Sequence, residues 1–547
     1  MNGSIRSRCG GLSAALLVAA ALGLAACGDA TQRGGTVVIA AASDLDHANP
    51  LVSVDAWTNE VLRYALFTPL VRYGPELEYQ PRLAESWELL GDTGVVFHLR
   101  DDVRWHDGTP TTAHDVLFTF ERSTDPATAF PNADYFARWT GGAVLDSFTV
   151  RFSFEPHAEP LAGWPFTPVV PRHLLDSIPP ERLRQAAFNR APVGNGPFRF
   201  ASQRPGNRWV FEANPDYPEA LGGPPLLDRV VWRVIPENSA QLTEIRVGQV
   251  DLALQPSPEQ VQRLAGRDGL DVVVKPSRSF LFLVWNQRAP PLDDPRVRRG
   301  LAMAIDRRQI LEGLRRGLGE LAIGPVPPFH WAFDHSLEPL PHAPDSARAL
   351  LADAGVRDRD DDGILEGPDG ADFTVQIKVP ANNDYYRDVA EAIRDDLAGL
   401  GVAATTRLTE VTTLFADVTS PERRFEAALL GWSSDFRLDL RDLFHSDAMD
   451  GPYQFASYGN PRVDSLMDTA VTEPDRERAA PLWHQVQGIL LEEQPWTLIY
   501  YQTDAFLARD RVRGMDMDIR GALVNLPGWW VEEARPELAP APQSTGG

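Results

Sequence analysis

Hydrophobic positions change their spacing about halfway along the chain. In the first half, apolar and aromatic residues alternate with polar ones over short runs that lie between Gly, Pro and Asp turns, which is typical of β-strands. The clearest runs are residues 95–99, 149–154, 209–211 and 230–235. The first half is therefore predicted to be rich in β-structure.

The second half favours helices. Asp294 followed by Pro295 is typical of a helix start. One helical stripe of apolar residues then runs from Val297 through Ile305 to Leu311. The pattern predicts a single helix over this stretch.

From residue 373 the pattern predicts a strand–helix–strand unit. Residues 375–379 alternate, residues 389–400 hold apolar positions at helical spacing, and residues 402–408 resume as a strand. A second crossover leads to the apolar run 425–430. This order predicts an α/β lobe with parallel strands. Because ligands in such sheets bind beyond the carboxyl ends of strands, the segment just after Leu430 is the candidate site.

The first residues are typical of a secretion leader. Arg6 and Arg8 precede an apolar run over residues 12–24, which is shorter than the ~20 residues a membrane-spanning helix needs. Small residues then lead into Cys27, as in a lipoprotein leader. We expect cleavage before Cys27 and attachment of lipid to its thiol; the alternative is an ordinary leader that happens to contain a cysteine. Residues 27–33 would be the tether.

Composition supports an exported, multi-lobed protein. The chain has 547 residues and two cysteines, Cys9 and Cys27, so the mature chain would keep one thiol and no internal disulfide. Its length exceeds what one core usually supports, which predicts at least two lobes. The formal net charge of −24 excludes nucleic acid and anionic lipid headgroups as expected partners.

The segment Gly431–Asp435 carries the candidate chemistry. Trp432 would supply an apolar wall and Asp435 an anion, which together suit a solute that bears an ammonium group. The alternative is a turn in which the Trp belongs to the core and the Asp caps a helix. The residues alone do not separate these two interpretations.

Seven short blocks, in order, resemble the extracellular solute-binding proteins of dipeptide, oligopeptide and nickel import systems. They are PRLAESW at 81–87, FHLR at 97–100, WHDGTP at 105–110, TAHDV at 112–116, VGNGPF at 193–198, DPRVR at 294–298 and AIDR at 304–307. The resemblance runs from the leader to near Arg513 and implies an α/β fold of two lobes, of the periplasmic-binding-protein type (class II), with an extra β-rich subdomain in the first lobe. The segments it implies are a leader at 1–26, lobe I at 34–60, 190–279 and 496–535, the subdomain at 61–189, and lobe II at 280–495.

The resemblance also implies a site and partners. Asp435 would hold the free α-ammonium of a bound peptide, Trp432 would line a side-chain pocket, and Ser433 and Ser434 complete the predicted binding segment. The partners would be a small peptide or similar solute and the permease of an ABC importer, with a monomer tethered to the cell envelope by lipid only. The alternatives are a nickel chelate, haem, an opine or an oligosaccharide as solute, or an exported lipoprotein hydrolase. The family often continues with Asp-Pro, whereas residues 436–440 read FRLDL here, so the far wall of the site is expected to differ.

No catalytic or metal-binding motif is convincing. The sequence has no HExxH, CxxC or nucleophile-elbow motif, so we expect neither an enzyme nor a cofactor. The two histidines at 106 and 114 are expected to be structural. Residues 358–369 match part of a calcium loop, but Asp369 stands where a bidentate Glu is needed, after Pro368. A solvated acidic turn and a calcium site both remain open for this segment.

Overall fold

A computed structural model describes residues 34–532. The predicted leader, the tether and Cys27 lie outside the described residues. Within them, no helix has both the length and the apolar character needed to cross a bilayer.

The secondary structure of the described residues comprises short strands, two long strands and helices that lie mainly in the second half. The strands are β1 (Thr36–Ala41), β2 (Val71–Tyr73), β3 (Tyr79–Pro81), β4 (Ala84–Leu89), β5 (Gly94–Leu99), β6 (Trp139–Asp146), β7 (Thr149–Phe154), β8 (Phe198–Arg204), β9 (Arg208–Ala213), β10 (Arg229–Val234), β11 (Leu252–Ala253), β12 (Leu270–Trp285), β13 (Gly319–Leu321), β14 (Thr374–Pro380), β15 (Ala403–Thr409), β16 (Ala427–Ser433), β17 (Trp496–Arg509), β18 (Val512–Arg513) and β19 (Trp530–Val531). The α-helices are α1 (Ala56–Val61), α2 (Ala113–Thr124), α3 (Arg172–Leu175), α4 (Asn238–Arg246), α5 (Pro258–Leu264), α6 (Pro295–Ala304), α7 (Arg307–Gly313), α8 (Pro344–Asp353), α9 (Asp384–Leu400), α10 (Val411–Thr419), α11 (Arg441–Phe444), α12 (Pro461–Thr472) and α13 (Arg476–Glu493).

Two long antiparallel strands join two lobes into one mixed sheet. The sheet has the order β15-β14-β16-β12-β17-β11-β1-β10-β9-β8, with β13 also paired to β17. The first part of β12 pairs with the end of β17 in the lobe that contains β1, whereas its last part pairs with β16 in the other lobe. The pairing of β12 with β17 slips between Pro276 and Phe280. We call the part of β12 and β17 around this slip the hinge, because both strands pass from one lobe to the other there.

The predicted lobe boundaries can be placed on these strands. The boundary between residues 279 and 280 lies beside the register slip. The boundary between 495 and 496 lies at the start of β17, whereas the slip reaches β17 near Tyr501 and Thr503. Each crossing strand belongs to both lobes, so a single dividing residue describes the hinge poorly.

The first lobe carries the predicted β-rich subdomain. An antiparallel sheet of order β4-β5-β7-β6 has α2 packed against it. Its core is aromatic, with Phe97, Phe120, Trp139, Phe152 and Trp164 in mutual edge or tilted contact. These rings belong to the same apolar cluster as Val37 and Ile39 of β1, so the subdomain and the first lobe share one core.

The second lobe is the predicted α/β unit. Strand β14 is parallel to both β15 and β16, and α9 makes the crossover between β14 and β15, ending at Gly401 with a φ of 103°. Successive residues of β12 point to opposite faces of the sheet, as the period of a strand requires. Phe280 and Phe282 therefore enter one apolar core, and Leu281 and Leu283 enter another on the opposite face.

The prediction of one continuous helix to Leu311 was wrong. Helix α6 ends at Ala304, and Ile305 has an extended backbone, with φ −79° and ψ 120°. Asp306 then caps a separate helix, α7, by accepting a hydrogen bond from the backbone N–H of Gln309. The apolar stripe continued through Ile305 because that side chain is buried in the lobe core, although its backbone is not helical.

The acidic turn forms a compact loop. Carboxylate oxygens of Asp358, Asp360 and Glu366 lie within 4.8 Å of one another. Backbone N–H groups donate hydrogen bonds to these carboxylates: Gly363 donates to Asp358, and Arg359 donates to Glu366. These hydrogen bonds suffice to hold the turn. A solvated acidic turn and a calcium site therefore both stay predictions for this segment.

His106 occupies a structural position. Its Nε2 lies 3.0 Å from the carbonyl oxygen of Gly196, and its Nδ1 accepts a hydrogen bond from the N–H of Gly194. Burial lowers the pKa of His106 to about 4. The ring therefore joins two segments of the first lobe as a neutral imidazole.

Candidate functional site

The predicted binding segment lies at the end of β16, beside the hinge. Strand β14 pairs with β16 only at Ala427 and Ala428, whereas β12 follows it as far as Ser433. Beyond Ala428, therefore, the β14 side of this strand has no neighbouring strand among residues 34–532. Gly431 and Ser433 are exposed on this free end.

Asp435 lies two residues beyond that strand and contacts the opposite lobe. Its Oδ1 accepts a hydrogen bond of 2.6 Å from the backbone N–H of Phe436, and its Oδ2 accepts one from the hydroxyl of Tyr135. Tyr135 belongs to the subdomain, in the 3-10 helix Ala133–Phe136. Burial, and then the negative charge of Asp435, raise the pKa of Tyr135 well above its usual value, so the phenol stays protonated as a donor.

Phe436, the residue after Asp435, forms an apolar contact between the two lobes. Phe436 is buried and packs against Tyr73 and Phe166 of the subdomain, with ring centroids 5.2 and 5.7 Å away. The guanidinium of Arg278, at the hinge, lies 5.2 Å from the centroid of the Phe436 ring. The FRLDL sequence that departs from the family pattern therefore supplies an apolar contact between lobes.

A pair of arginines from the second lobe reaches the subdomain on either side of this contact. Arg437 lies over the Tyr135 ring at 4.8 Å and bonds Asp134 at 3.0 Å. Arg476, the first residue of α13, donates from Nε to Glu159 at 3.0 Å. We call the contact made by Phe436, Arg437 and Arg476 the subdomain face.

The Arg476–Glu159 pair is the better buried of the two. The Glu159 side chain is only 9% exposed, and burial raises its pKa although Arg476 opposes the shift. Arg476 also donates to the carbonyl of Leu77 at 3.4 Å. Glu159 and Leu77 both have a left-handed backbone, with φ values of 52° and 57°. Such strain in residues without glycine's freedom is often found where function requires it.

The other predicted site residues have different surroundings. Trp432 packs against Tyr453, Phe455 and Trp496, with centroids 5.9 to 6.4 Å away, and so lies on the apolar core of the second lobe. Ser433 is exposed at the strand end, whereas Ser434 is buried and donates its N–H to the carbonyl of Arg278. Asp435 thus contacts the opposite lobe, Ser433 is exposed to solvent, and Trp432 packs on the core of its own lobe.

A cavity of about 260 Å³ lies between the lobes behind the subdomain face and is lined by Tyr135, Glu159, Arg437 and Arg476. A second cavity, of about 520 Å³, lies beside the hinge; Glu259 and Arg315 line it, together with Tyr385, Tyr386 and Tyr500. We call the second one the hinge cavity. Only the hinge cavity falls within the 300–1,000 Å³ that ligand pockets usually occupy.

Gly431 connects the binding segment to the hinge cavity. A Cβ at this position would lie 2.5 Å from the hydroxyl of Tyr386, far inside van der Waals contact. Only glycine lets that phenol lie against the strand. The segment from Gly431 to Asp435 therefore extends from the edge of the hinge cavity, through the end of β16, to the subdomain face.

Reasoning from the sequence missed the residues contributed by the subdomain. Tyr135 lies 300 positions from Asp435, and Glu159 lies 317 positions from Arg476. Neither residue belongs to a recognisable motif, so the sequence offered no signal for them.

Comparison with known proteins agrees with this architecture. The family described as bacterial extracellular solute-binding proteins, family 5 (middle region), matches residues 78–446. The chain belongs to this family. It is 27% identical over 506 residues to oligopeptide-binding protein AppA of Bacillus subtilis, covering 91% of this chain and 92% of AppA. It is also 27% identical over 466 residues to haem-binding protein A of Haemophilus influenzae, covering 80% of this chain and 81% of that protein.

Solved structures of family members share the fold. The structure of Bacillus subtilis AppA with a nonapeptide matches with a TM-score of 0.75 at 26% identity, covering 92% of this chain and all of that one. The structure of NikZ from Campylobacter jejuni with Ni(L-His) matches with a TM-score of 0.74 at 23% identity, covering 90% and 99%. The predicted family and the predicted two-lobe α/β fold are both confirmed, and the family is one of solute-binding proteins that act outside the cytoplasm.

Proposed function

We propose that this family 5 protein delivers short peptides to an ABC importer and recognises them by their free amino end at Asp435. The observation that carries the proposal is the position of the Asp435 carboxylate, which lies at the carboxyl end of β16 and directly between the two lobes. The names of the relatives support the class of solute, since AppA is named as an oligopeptide-binding protein.

The free edge of β16 suits the main chain of a peptide. An extended peptide can add to an unpaired strand edge through backbone hydrogen bonds, which bind any sequence, while pockets beside the edge select side chains. The exposed residues Gly431 and Ser433 offer such an edge between Asp435 and the hinge cavity. A peptide bound there would place its first residue at Asp435.

The Asp435 carboxylate accepts hydrogen bonds but has no cationic partner. Its hydrogen bonds come from the backbone N–H groups of Phe436 and Arg437 and from the Tyr135 hydroxyl. No arginine, lysine or histidine side chain of residues 34–532 forms an ion pair with it within 4 Å. A half-buried carboxylate without a cationic partner attracts an ammonium more strongly than one in bulk water. Because Tyr135 belongs to the opposite lobe, its hydrogen bond to Asp435 forms only when the lobes are together.

Closure would convert binding into a signal. The subdomain face joins the lobes only when they are together, and a ligand that contacts both lobes favours that state. The permease could then distinguish closed, loaded protein from open protein.

Lipid on Cys27 would hold the protein near the permease. If so, Cys27→Ser should move the protein from the membrane fraction to the soluble fraction without changing its melting temperature. A variant that stays in washed membranes would contradict the anchor.

Calorimetry with one peptide in two forms tests the proposal. Free penta-alanine should bind the parent, and its N-acetylated form should bind on the order of a hundredfold to a few thousandfold more weakly, because half of a buried ion pair is lost, at about 3–5 kcal/mol. In Asp435→Asn the free peptide should weaken by a similar factor, and acetylation should matter little. Equal binding of the free peptide to the parent and the variant would make Asp435 a structural residue. Recovery of cleaved peptide would instead indicate an enzyme.

A further inference from the structure

Arg63 of the first lobe lies close to the apolar contact made by Phe436 and has no ion-pair partner. Helix α1 continues into a π-helical turn, Leu62–Leu66, which carries Arg63. Its Nε donates to the carbonyl oxygen of Asn59 at 3.2 Å, the one hydrogen bond that this guanidinium makes within residues 34–532. No carboxylate of the same residues lies within 4 Å of it. Turns of the π-helical kind are frequent at functional sites.

A single aromatic ring connects Arg63 to the surroundings of Asp435. The guanidinium carbon lies 4.9 Å from the centroid of the Phe166 ring. The same ring stacks on Tyr135, which bonds Asp435, and on Phe436, with centroids 5.6 and 5.7 Å away. One ring therefore separates Arg63 from the two residues that flank the Asp435 carboxylate.

Arg278 is a second arginine near this carboxylate that has no ion-pair partner. Its guanidinium lies 5.2 Å from the centroid of the Phe436 ring, and its Nη1 donates to the carbonyl oxygen of Ser434 at 3.4 Å. No carboxylate of residues 34–532 lies within 4 Å of this guanidinium either. An ammonium group bound at Asp435 would therefore have two positive charges in its neighbourhood that Asp435 alone does not balance.

The acidic residues of this region are occupied elsewhere. Glu60 lies one helical turn before Arg63 and also forms no ion pair, but its carboxylate accepts the N–H of Leu523 at 3.0 Å and packs against Gly521. Burial raises the pKa of Glu60, which favours its neutral form, although Lys275 opposes the shift. The other acidic groups nearby have cationic partners, in the pairs Asp518–Arg520, Asp504–Lys275, Glu159–Arg476 and Asp134–Arg437.

We infer that the ligand carries a carboxylate close to its amino end and that Arg63, assisted by Arg278, binds it, so that the protein selects peptides with Asp or Glu among their first three residues. The inference rests on the proposed function, which places the ammonium at Asp435. A guanidinium that rests on an aromatic ring can still bind a carboxylate through two parallel N–H groups.

The distances limit how far along the ligand this carboxylate can lie. Three extended residues span about 10 Å. The two ring contacts that lead from Arg63 across Phe166 to Tyr135 measure 4.9 and 5.6 Å, which together give a similar length. An acidic side chain within the first three residues therefore reaches Arg63, whereas one at the fifth residue lies beyond it.

Calorimetry with paired peptides tests the inference. The probes are pentapeptides of alanine with one Glu at position one, two, three or five, and the same four peptides with Gln instead of Glu. At one or more of the first three positions, the parent should bind the Glu peptide about tenfold to a hundredfold more tightly than the Gln peptide, the range for a hydrogen bond to a charged group. At the fifth position Glu and Gln should bind equally. Equal binding at all four positions, or an equal preference for Glu at the fifth, would overturn the inference.

Variants separate recognition from structure. In Arg63→Gln the preference for Glu should disappear, and penta-alanine should bind slightly more tightly because its ammonium has one positive charge fewer nearby. Arg63→Lys should keep part of the preference, and Arg278→Gln should reduce it. Arg308→Gln, a change of a 69% exposed arginine on α7, should leave the preference as in the parent.

The two proposals fail in different ways. An equal loss of the Glu and Gln peptides in Arg63→Gln would make Arg63 a structural residue and overturn the inference, while amino-end recognition at Asp435 would stand, since penta-alanine carries no acidic side chain. Failure of every peptide to bind the parent would overturn the proposed function and the inference with it.

Discussion

The subdomain face and the hinge cavity differ in whether their arginines form ion pairs. At the subdomain face, the arginines that cross between lobes have acidic partners of their own, as Arg476 has Glu159 and Arg437 has Asp134. In the hinge cavity Arg315 has none among the described residues. Glu259 of the same cavity also forms no ion pair and accepts a hydrogen bond only from the Ser257 hydroxyl. Ion pairs between the lobes stabilise their contact directly, whereas unpaired charges in a cavity can interact with a ligand. The subdomain face is therefore suited to closing the lobes, and the hinge cavity is suited to contacting a solute.

Breaking the subdomain face at Arg476 should have the largest effect. Arg476→Ala leaves Glu159 buried without a partner, which disfavours the closed form by about 3 kcal/mol and weakens binding of penta-alanine on the order of a hundredfold. Arg478→Ala is the matched control, because the Arg478 side chain is 66% exposed and its ion pair is with Glu473 of its own lobe. Calorimetry measures the affinity, and small-angle scattering measures the expected increase in radius of gyration. Parent-like values of both quantities in Arg476→Ala would show that this pair does not govern closure.

Acid should weaken the same face through His330. Its Nε2–H donates to the carbonyl of Phe436 at 3.1 Å and its Nδ1 accepts from the N–H of Ala332, so the neutral ring satisfies both partners. Burial lowers the pKa of His330 from 6.5 to about 4. The unfolded chain therefore takes up a proton first as pH falls, so the contribution to stability is complete above about pH 6.5 and is lost towards pH 4.

The loss from this histidine should reach about 3 kcal/mol by pH 4. Urea unfolding at pH 7.5, 5.5 and 4.5 measures it, and His330→Asn should flatten the dependence on pH even though the variant is less stable at every pH. An unchanged slope in the variant would assign the acid sensitivity to other groups, of which His106 is the first candidate because its pKa is also lowered to about 4.

Gly431→Ala should have the smallest effect. The new methyl group would displace the hydroxyl of Tyr386, and overpacking of about 1 kcal/mol corresponds to about fivefold to tenfold weaker peptide binding. Gly488→Ala, in α13 with open space around its Cβ position, should leave binding unchanged. The double variant Gly431→Ala, Tyr386→Phe should recover affinity, because removing the hydroxyl makes room. No recovery would mean that the strand itself had been distorted.

The sequence predicted most of the fold because its signals are local. The period of two in residues 149–154 matches β7 as observed, and the helical spacing before Gly401 matches α9. Asp435 was predicted as a site residue from a short motif at a strand end, and this assignment stays a prediction. The partners of that residue and of Arg476 were not, because Tyr135 and Glu159 come to them through tertiary packing across more than half of the chain. The break at Ile305 was missed because burial alone continues an apolar stripe, and only the capping side chain of Asp306 reveals the turn.

A crystal structure with bound penta-alanine tests the central claim most directly. We expect the amino nitrogen of the peptide to lie within hydrogen-bond distance of the Asp435 carboxylate and the Tyr135 hydroxyl. We expect its main chain to follow the edge of β16 from Ser433 to Gly431. A peptide bound in the reverse direction, or one whose amino group lies in solvent away from Asp435, would contradict it.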